Sequence, residues 1–330
     1  MSTKRLEQAA QATKTAFVFP GQGSQKVGML AELAEQFSVV KDTFTEASEA
    51  VDFDLWQIAQ SGEGLDQTEN TQPVLLTASI ALWRVWLELG GIAPKYLAGH
   101  SLGEYSALVA AEAMTLADAV KLVHLRGKLM QSAVPQGTGA MAAILGLADE
   151  KVIELCQKVN ASAAGQGSVE AANYNAQGQV VIAGSTALVQ QVMAEAKEQS
   201  GKAIALPVSV PSHCTLMKPA AEKFAEALEQ TAIELPRIPV IQNVNAEIAT
   251  DVAQLRQALT AQLYQSVQWT RSMQYLQDQG IQYVVECGPG TVLSNLAKRL
   301  PNIEKAFAID SKARMEDALS AILVAEGKIA

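Results

Sequence analysis

The first apolar run is short: Ala16-Phe17-Val18-Phe19, closed by Pro20. Four apolar residues in succession, with no polar alternation, predict a strand covered on both faces. Tyr96-Leu97-Ala98-Gly99 reads the same way, and further strands are expected at 239–243 and 283–286. A different pattern follows Gln72-Pro73, where Val74, Leu75, Leu76, Ile80, Leu82, Trp83, Trp86 and Leu87 cover most of a helix's circumference. That predicts a central helix, opened by a proline in its first turn and stopped at Gly90-Gly91. Helices are also expected over 102–113 and over 116–130, the second with Thr115 as its N-cap. A helical stretch is expected between the loop at residues 20–25 and the glycines Gly62 and Gly64.

The pattern changes after Gly137-Thr138-Gly139. Residues 140–147 read as a strand, 150–159 as a helix, 169–174 and 179–183 as strands around the turn Asn175-Ala176-Gln177-Gly178, 186–199 as a helix and 203–208 as a strand. That order, strand-helix-strand-strand-helix-strand, is the ferredoxin-like one. Helices are expected again at 217–230, 252–264, 272–278 and from 292 onward. The organisation read from this is a large α/β domain over residues 15–136 and 209–330, interrupted by a ferredoxin-like subdomain over 137–208. Residues 1–14 are polar and rich in Ala and Gln, and are expected to be a disordered N-terminal extension.

Composition narrows the function. The chain has 330 residues, 49% of them apolar, enough for a sizeable core. Its net charge is −9 without any run of basic residues, so no nucleic-acid partner is expected. The longest apolar candidate, around 75–89, contains Arg84 and Glu88, so no membrane span is expected. The three cysteines, Cys156, Cys214 and Cys287, match no zinc or redox spacing, and their odd number argues against a disulfide framework. No signal peptide is visible at the N-terminus, and a cytoplasmic location is expected.

Chemistry concentrates at Gly99-His100-Ser101-Leu102-Gly103, between a predicted buried strand and a predicted helix. This is the setting of a nucleophile elbow: flanking glycines allow a tight turn, the serine Oγ stands clear of the sheet, and the Leu102 N–H at the helix start is free for an oxyanion. A serine nucleophile needs a base, and only His100, His124 and His213 exist. His100 neighbours Ser101 and points away from it, holding the turn. His124 lies within a helix, as a structural residue. His213, on a loop after a strand, is left as the base, with loop capping as its alternative. No triad carboxylate is marked. Asp251 is the nearest acidic candidate, and a carbonyl oxygen would serve as well. Arg126 borders the apolar side of its helix, marked by Leu122, Leu125 and Leu129. Its fork suits capture of a carboxylate. A solvated position at the helix margin is the commoner case for such an arginine. The loop Gly21-Gln22-Gly23 lacks a dinucleotide fingerprint, since Lys26 stands where a glycine is needed. It is placed to expose a second backbone N–H near Ser101.

Six motifs appear together and in order: Phe19-Pro20-Gly21-Gln22-Gly23-Ser24-Gln25, Gly99-His100-Ser101-Leu102-Gly103-Glu104-Tyr105, Arg126-Gly127-Lys128-Leu129-Met130, Pro211-Ser212-His213, Gln262-Leu263-Tyr264 with Val267-Gln268-Trp269, and Gly288-Pro289-Gly290. With them, residues 16–300 closely resemble the malonyl-CoA:acyl carrier protein transacylases of type II fatty-acid synthesis. The resemblance implies an α/β fold with a hydrolase-like core, a parallel sheet and a nucleophile elbow, plus the ferredoxin-like subdomain. It implies Ser101 as nucleophile, His213 as general base, Gln22 and Leu102 as amide donors of the oxyanion hole, Arg126 as binder of the malonyl carboxylate, and Gln262 as the residue orienting His213 through a carbonyl oxygen. No metal and no cofactor are implied. Malonyl-CoA is the substrate, phosphopantetheine is carried by the partner acyl carrier protein, and the enzyme is expected to be a monomer. A serine hydrolase is the rival reading of the elbow. Malonyl against methylmalonyl preference stays open, as does the carrier's docking surface, for which Lys298 and Arg299 are candidates.

Overall fold

The structure is a computed structural model that describes residues 13–208 and 210–329. Residues 1–12, the bulk of the expected extension, lie outside the described residues, as does Ser209. Among the described residues the strands are, in chain order, β1 (Thr15–Phe19), β2 (Tyr96–Gly99), β3 (Gly139–Leu145), β4 (Val169–Ala176), β5 (Gln179–Ser185), β6 (Lys202–Ala205), β7 (Val240–Ile241), β8 (Tyr283–Glu286) and β9 (Lys305–Ala308). They form two sheets. One is parallel, in the order β7-β2-β1-β8-β9, and the other is antiparallel, in the order β4-β5-β3-β6.

β1 is the middle of the parallel sheet and is buried along its whole length. Its alternation divides the core. Phe17 and Phe19 face one layer, where Phe17 meets Trp83 and Trp86 edge-on at 5.4 and 5.1 Å between ring centroids. Ala16 and Val18 face the other, with Trp269 and Met273. This explains why the strand reads as an unbroken apolar run. The register Phe19↔Gly99 and Val18↔Glu286 brings the carboxyl ends of β1, β2 and β8 to one edge, where ligands of parallel sheets gather.

The helix that supplies the tryptophans runs over Thr68–Glu88 and starts four residues before the expected Gln72-Pro73. Pro73 therefore lies inside it and leaves the Glu69 carbonyl without its helical donor. His124 takes that place, Nδ1 donating to the Glu69 oxygen at 2.9 Å. The helix carrying His124, Leu116–Ser132, is capped by Thr115, whose side chain accepts from the Asp118 N–H. It lies close against Thr68–Glu88 because Gly127 is there: a Cβ would sit 2.6 Å from the Glu69 Cα. Two expectations for this helix are corrected. Leu125 faces outward, 36% exposed, while Leu122 is buried as expected, on a side that also carries Ala119, Val123, Arg126, Gly127 and Met130. Arg126 has no exposure at all, so the reading as a solvated margin residue fails.

The antiparallel sheet has its own core, including Ile144, Val152, Leu155, Val180, Ile182 and Val192, under the helices Asp149–Ser162 and Thr186–Glu198. The β4–β5 turn is tighter than expected, because both strands pair as far as Ala176↔Gln179. This sheet is tied to the rest of the chain at Val267, whose N–H donates to the Ala172 carbonyl at 2.8 Å and whose carbonyl accepts from Tyr174 at 2.9 Å. β9 and the last helix, Lys312–Ala325, were not anticipated from the sequence. The three cysteines are free and buried. No helix among the described residues is long and apolar enough to cross a membrane.

Candidate active site

Ser101 occupies the link between β2 and the helix Gly103–Ala110. Its φ is +52°, a strained value for a residue with a side chain. The flanking glycines are steric requirements, since a Cβ on Gly99 would lie 1.9 Å from the Gly103 carbonyl carbon and one on Gly103 would lie 2.0 Å from the Phe19 oxygen. Asn243, just after β7, clamps the link from the side. Its Oδ1 accepts the Ser101 N–H at 2.7 Å and its Nδ2 donates to the Gly99 carbonyl at 2.6 Å.

His213 Nε2 lies 2.8 Å from Ser101 Oγ, and Nδ1 lies 2.6 Å from the backbone carbonyl of Gln262. A carbonyl only accepts, so Nδ1 carries the proton and Nε2 offers its lone pair to the serine hydroxyl. The ring is 3% exposed. Burial, and next the charge of Arg126, lower its pKa to about 3, against the bond to Gln262, which raises it. His213 also has a positive φ, +62°, held by its N–H donating to the Leu263 carbonyl at 3.0 Å.

Arg126 reaches the same serine from the opposite helix. Its Nη2 donates to Gln262 Oε1 at 2.9 Å and lies 3.3 Å from Ser101 Oγ, while Nη1 donates to Gln72 Oε1 at 2.9 Å. Its Nε has no partner, and no carboxylate forms an ion pair with it among the described residues. The guanidinium is thus buried, charged, oriented by two amide oxygens and without a bonded anion.

Gln262 joins these groups. Its backbone oxygen holds His213, its side-chain oxygen holds Arg126, and its Nε2 donates to the Ser101 carbonyl at 3.0 Å and to Glu104 Oε2 at 2.7 Å. Glu104 belongs to the motif around Ser101, and nothing in the sequence assigns it a role. It is 1% exposed and also accepts the Asn243 N–H at 3.1 Å. Burial pushes its carboxyl up to about 7, against the lowering pull of Gln262, the Asn243 amide and Arg126. Glu104, Asn243 and Gln72 were all missed by sequence reasoning. Only Glu104 carried a signal, as an acid one turn beyond the serine on a helix otherwise rich in Ala and Leu.

The cavity over Ser101 is lined by Gln22, Leu102, Arg126 and His213 from the parallel-sheet side, and by Met141 and Asn173 from the antiparallel sheet. The backbone amides of Gln22 and Leu102 donate to no protein acceptor among the described residues. Gly21 packs so closely that a Cβ would lie 2.6 Å from the His100 carbonyl oxygen. His100 turns away from the serine: Nε2 meets Asn175 Oδ1 at 2.8 Å and the ring stacks near Trp269. Asp251 is not part of the site. Its carboxylate caps the helix Val252–Ala261, accepting the Gln254 N–H at 2.8 Å. Lys298 and Arg299 are exposed and bond Asn295 and Gln179. No cluster of metal-ligating side chains occurs among the described residues.

The family described as the acyl transferase domain matches residues 16–312. A malonyl CoA-acyl carrier protein transacylase of Salmonella typhimurium is 51% identical over 311 residues, spanning 93% of this chain and 99% of the relative. The crystal structure of FabD from Acinetobacter baumannii is 88% identical, covers 95% of this chain and 99% of its own, and superposes with a TM-score of 0.93. A solved complex of a type II PKS acyl-carrier protein with its malonyl-transacylase is 48% identical, covers 93% of this chain and 99% of that chain, and has a TM-score of 0.90.

Proposed function

The chain belongs to the malonyl-CoA:acyl carrier protein transacylases of the acyl transferase family, and from that premise we propose that Ser101 is its acyl-accepting nucleophile and His213 the general base. The enzyme moves a malonyl group from malonyl-CoA to the phosphopantetheine thiol of acyl carrier protein, supplying extender units for fatty-acid synthesis. The observation that carries the assignment of residues is a single oxygen. Ser101 Oγ stands 2.8 Å from an imidazole nitrogen with a free lone pair and 3.3 Å from a guanidinium with no bonded carboxylate.

The steps follow from this geometry. His213 Nε2 takes the Ser101 proton as Oγ attacks the thioester carbonyl carbon. The tetrahedral oxyanion is held by the amides of Gln22 and Leu102, whose N–H groups are otherwise unused. The imidazolium is stabilised through Nδ1 by the Gln262 carbonyl, which stands where other serine enzymes place a carboxylate. Collapse breaks the C–S bond, and the coenzyme A sulfur leaves with the proton from Nε2. The acyl-serine then waits for the carrier's thiol, which gives its proton to His213 and attacks in turn, restoring Ser101. This is ping-pong chemistry. Arg126 holds the distal carboxylate of the malonyl group and thereby selects it over acetyl. The chemistry needs no metal or organic cofactor.

The same reading covers the architecture. The β2–helix link with its strained serine is a nucleophile elbow. The order β4-β5-β3-β6 with two helices on one face supports a ferredoxin-like subdomain over 137–208, inserted in a hydrolase-like domain over 15–136 and 209–330. All the residues named come from one chain, which supports a monomer as the working unit. The three free, buried cysteines fit the reducing cytoplasm.

Intact-mass measurement after mixing with malonyl-CoA tests the assignment. The protein is expected to gain one malonyl group, and Ser101→Ala to gain none. A malonyl adduct persisting in Ser101→Ala overturns the choice of nucleophile.

A further inference from the structure

Glu104 takes no part in the steps above, yet it is the one carboxylate whose charge acts on Arg126. It reaches the guanidinium through a single amide: Glu104 Oε2 accepts from Gln262 Nε2 at 2.7 Å, and Gln262 Oε1 accepts from Arg126 Nη2 at 2.9 Å. The two oxygens of Glu104 are unequal. Oε2 takes both donors, Gln262 Nε2 and the Asn243 N–H, whereas Oε1 is buried with no partner. A wholly buried carboxylate with one bare oxygen is costly to keep charged unless a cation lies close by. Arg126 is that cation while the site is empty.

A malonyl group changes the balance. Its carboxylate brings a second negative charge to one buried guanidinium. Two carboxylates sharing a site of this size do not both stay ionised, and the one with the poorer solvation takes a proton. We propose that Glu104 is a positioning residue that acts as the internal counter-charge of Arg126, and that it takes up one proton from solvent, on Oε1, when the malonyl carboxylate docks. This rests on the reading that Arg126 binds that carboxylate. The other titratable groups around Glu104 are Tyr105 on its own helix and, on the flanking loops, His100 and His213. Burial holds both histidines below their ordinary range and the tyrosine above its own, so none of the three competes for the proton near neutrality. Burial has already raised Glu104 to about 7 in the empty site, so a modest further push suffices.

The sign is definite. Below about pH 7 Glu104 already holds its proton and malonyl binding has no proton to recruit. Above it, binding must recruit one, and affinity falls as pH rises, approaching about tenfold per pH unit for one coupled proton. Acetyl-CoA carries the same coenzyme without the carboxylate and shows no such slope.

Calorimetry on the Ser101→Ala protein, in two buffers of different ionisation enthalpy about one pH unit above the Glu104 value, near pH 8, decides the matter. Malonyl-CoA is expected to take up close to one proton more than acetyl-CoA, with a dissociation constant that climbs with pH. Adding Glu104→Gln is expected to abolish both effects, because its amide oxygen can keep the two Oε2 contacts while the charge is gone. Malonyl-CoA binding with no more proton uptake than acetyl-CoA overturns the proposal, and so does uptake that survives Glu104→Gln. Where the double variant does not fold, the difference between the two thioesters on Ser101→Ala alone decides. Equal affinity for both thioesters at every pH instead overturns the carboxylate reading of Arg126, and the proposal with it.

Discussion

The backbone carbonyl of Gln262 lies 2.6 Å from Nδ1 of His213, and the side chain of the same Gln262 lies 2.9 Å from Arg126. One residue therefore fixes both the tautomer of His213 and the direction of the Arg126 guanidinium. A main-chain oxygen orients the imidazole without adding a formal charge. The depressed pKa of His213 follows: burial and Arg126 lower it to about 3, and no adjacent carboxylate raises it.

That value gives a pH prediction. The base is neutral above about pH 3, so no acid limb from His213 should fall near its ordinary value of about 6.5. The rate of Ser101 acylation at saturating malonyl-CoA, followed by quench and mass measurement, should be level between about pH 5 and about pH 8. A half-maximal point near pH 6.5 would contradict an imidazole held low by burial, which persists when the malonyl carboxylate pairs Arg126. Saturation matters here because affinity itself is expected to vary with pH through Glu104.

Arg126→Ala tests substrate choice. It removes the cation and leaves Gln72 Oε1 and Gln262 Oε1 without a donor, so some stability is lost along with recognition. For malonyl-CoA, kcat/KM should fall about a hundredfold or more, which is ~3 kcal/mol, the scale for a buried charge that loses its partner. Acetyl transfer should be retained or rise, because the unpaired guanidinium no longer penalises an uncharged acyl group. Equal losses for both thioesters would remove the selective role of Arg126 and leave it a structural one.

Much of this site was readable because side-chain chemistry is rare in the chain. With three histidines, elimination reaches His213, and the glycines around Ser101 announce a tight turn. The buried runs at β1, β2 and β8 read correctly because strands covered on both faces show no alternation. What was not readable acts through the backbone or through space. The elbow and the Gly21-Gln22-Gly23 loop point to backbone amides near Ser101, but every residue has a carbonyl, so only the family resemblance singled out that of Gln262. Arg126 left both a pocket and a solvated margin open, because most arginines beside an apolar face are solvated and the closure of two helices at Gly127 is decided only in space. β7 falls within the strand expected at 239–243, but Asn243, at the end of that run, gains its meaning only from contacts made more than a hundred residues away in sequence. β9 pairs at the sheet's edge with half-buried residues, so it lacks the apolar run of its neighbours.

Ser101→Gly and Ser101→Ala should differ in stability although both are expected to be inactive. At φ +52° the alanine keeps the strain that glycine relieves. Left-handed backbone costs a non-glycine residue roughly 1–2 kcal/mol, so Ser101→Gly should unfold at higher denaturant than Ser101→Ala by about 1 kcal/mol. The contrast isolates backbone strain, since both variants lose the same hydroxyl contacts to His213 and Arg126. Identical midpoints would mean that the turn carries no such strain.

His124 makes the last case, and it concerns the scaffold that aims Arg126. Pro73 leaves the Glu69 carbonyl unbonded, and His124 Nδ1 donates to it at 2.9 Å. His124→Phe keeps a ring beside Phe53, which stacks 5.1 Å away, but strands that carbonyl. The bond is partly buried, so the unsatisfied acceptor costs toward the low end of about 1–3 kcal/mol. Pro73→Ala restores an N–H at the helical position and so offers the Glu69 oxygen a second donor. In that background His124→Phe should cost distinctly less, a coupling of about 1 kcal/mol or more in a double-mutant cycle of urea unfolding. Additive costs would show that the His124 bond and the proline gap are independent, and that the helix carrying Arg126 is held by packing alone.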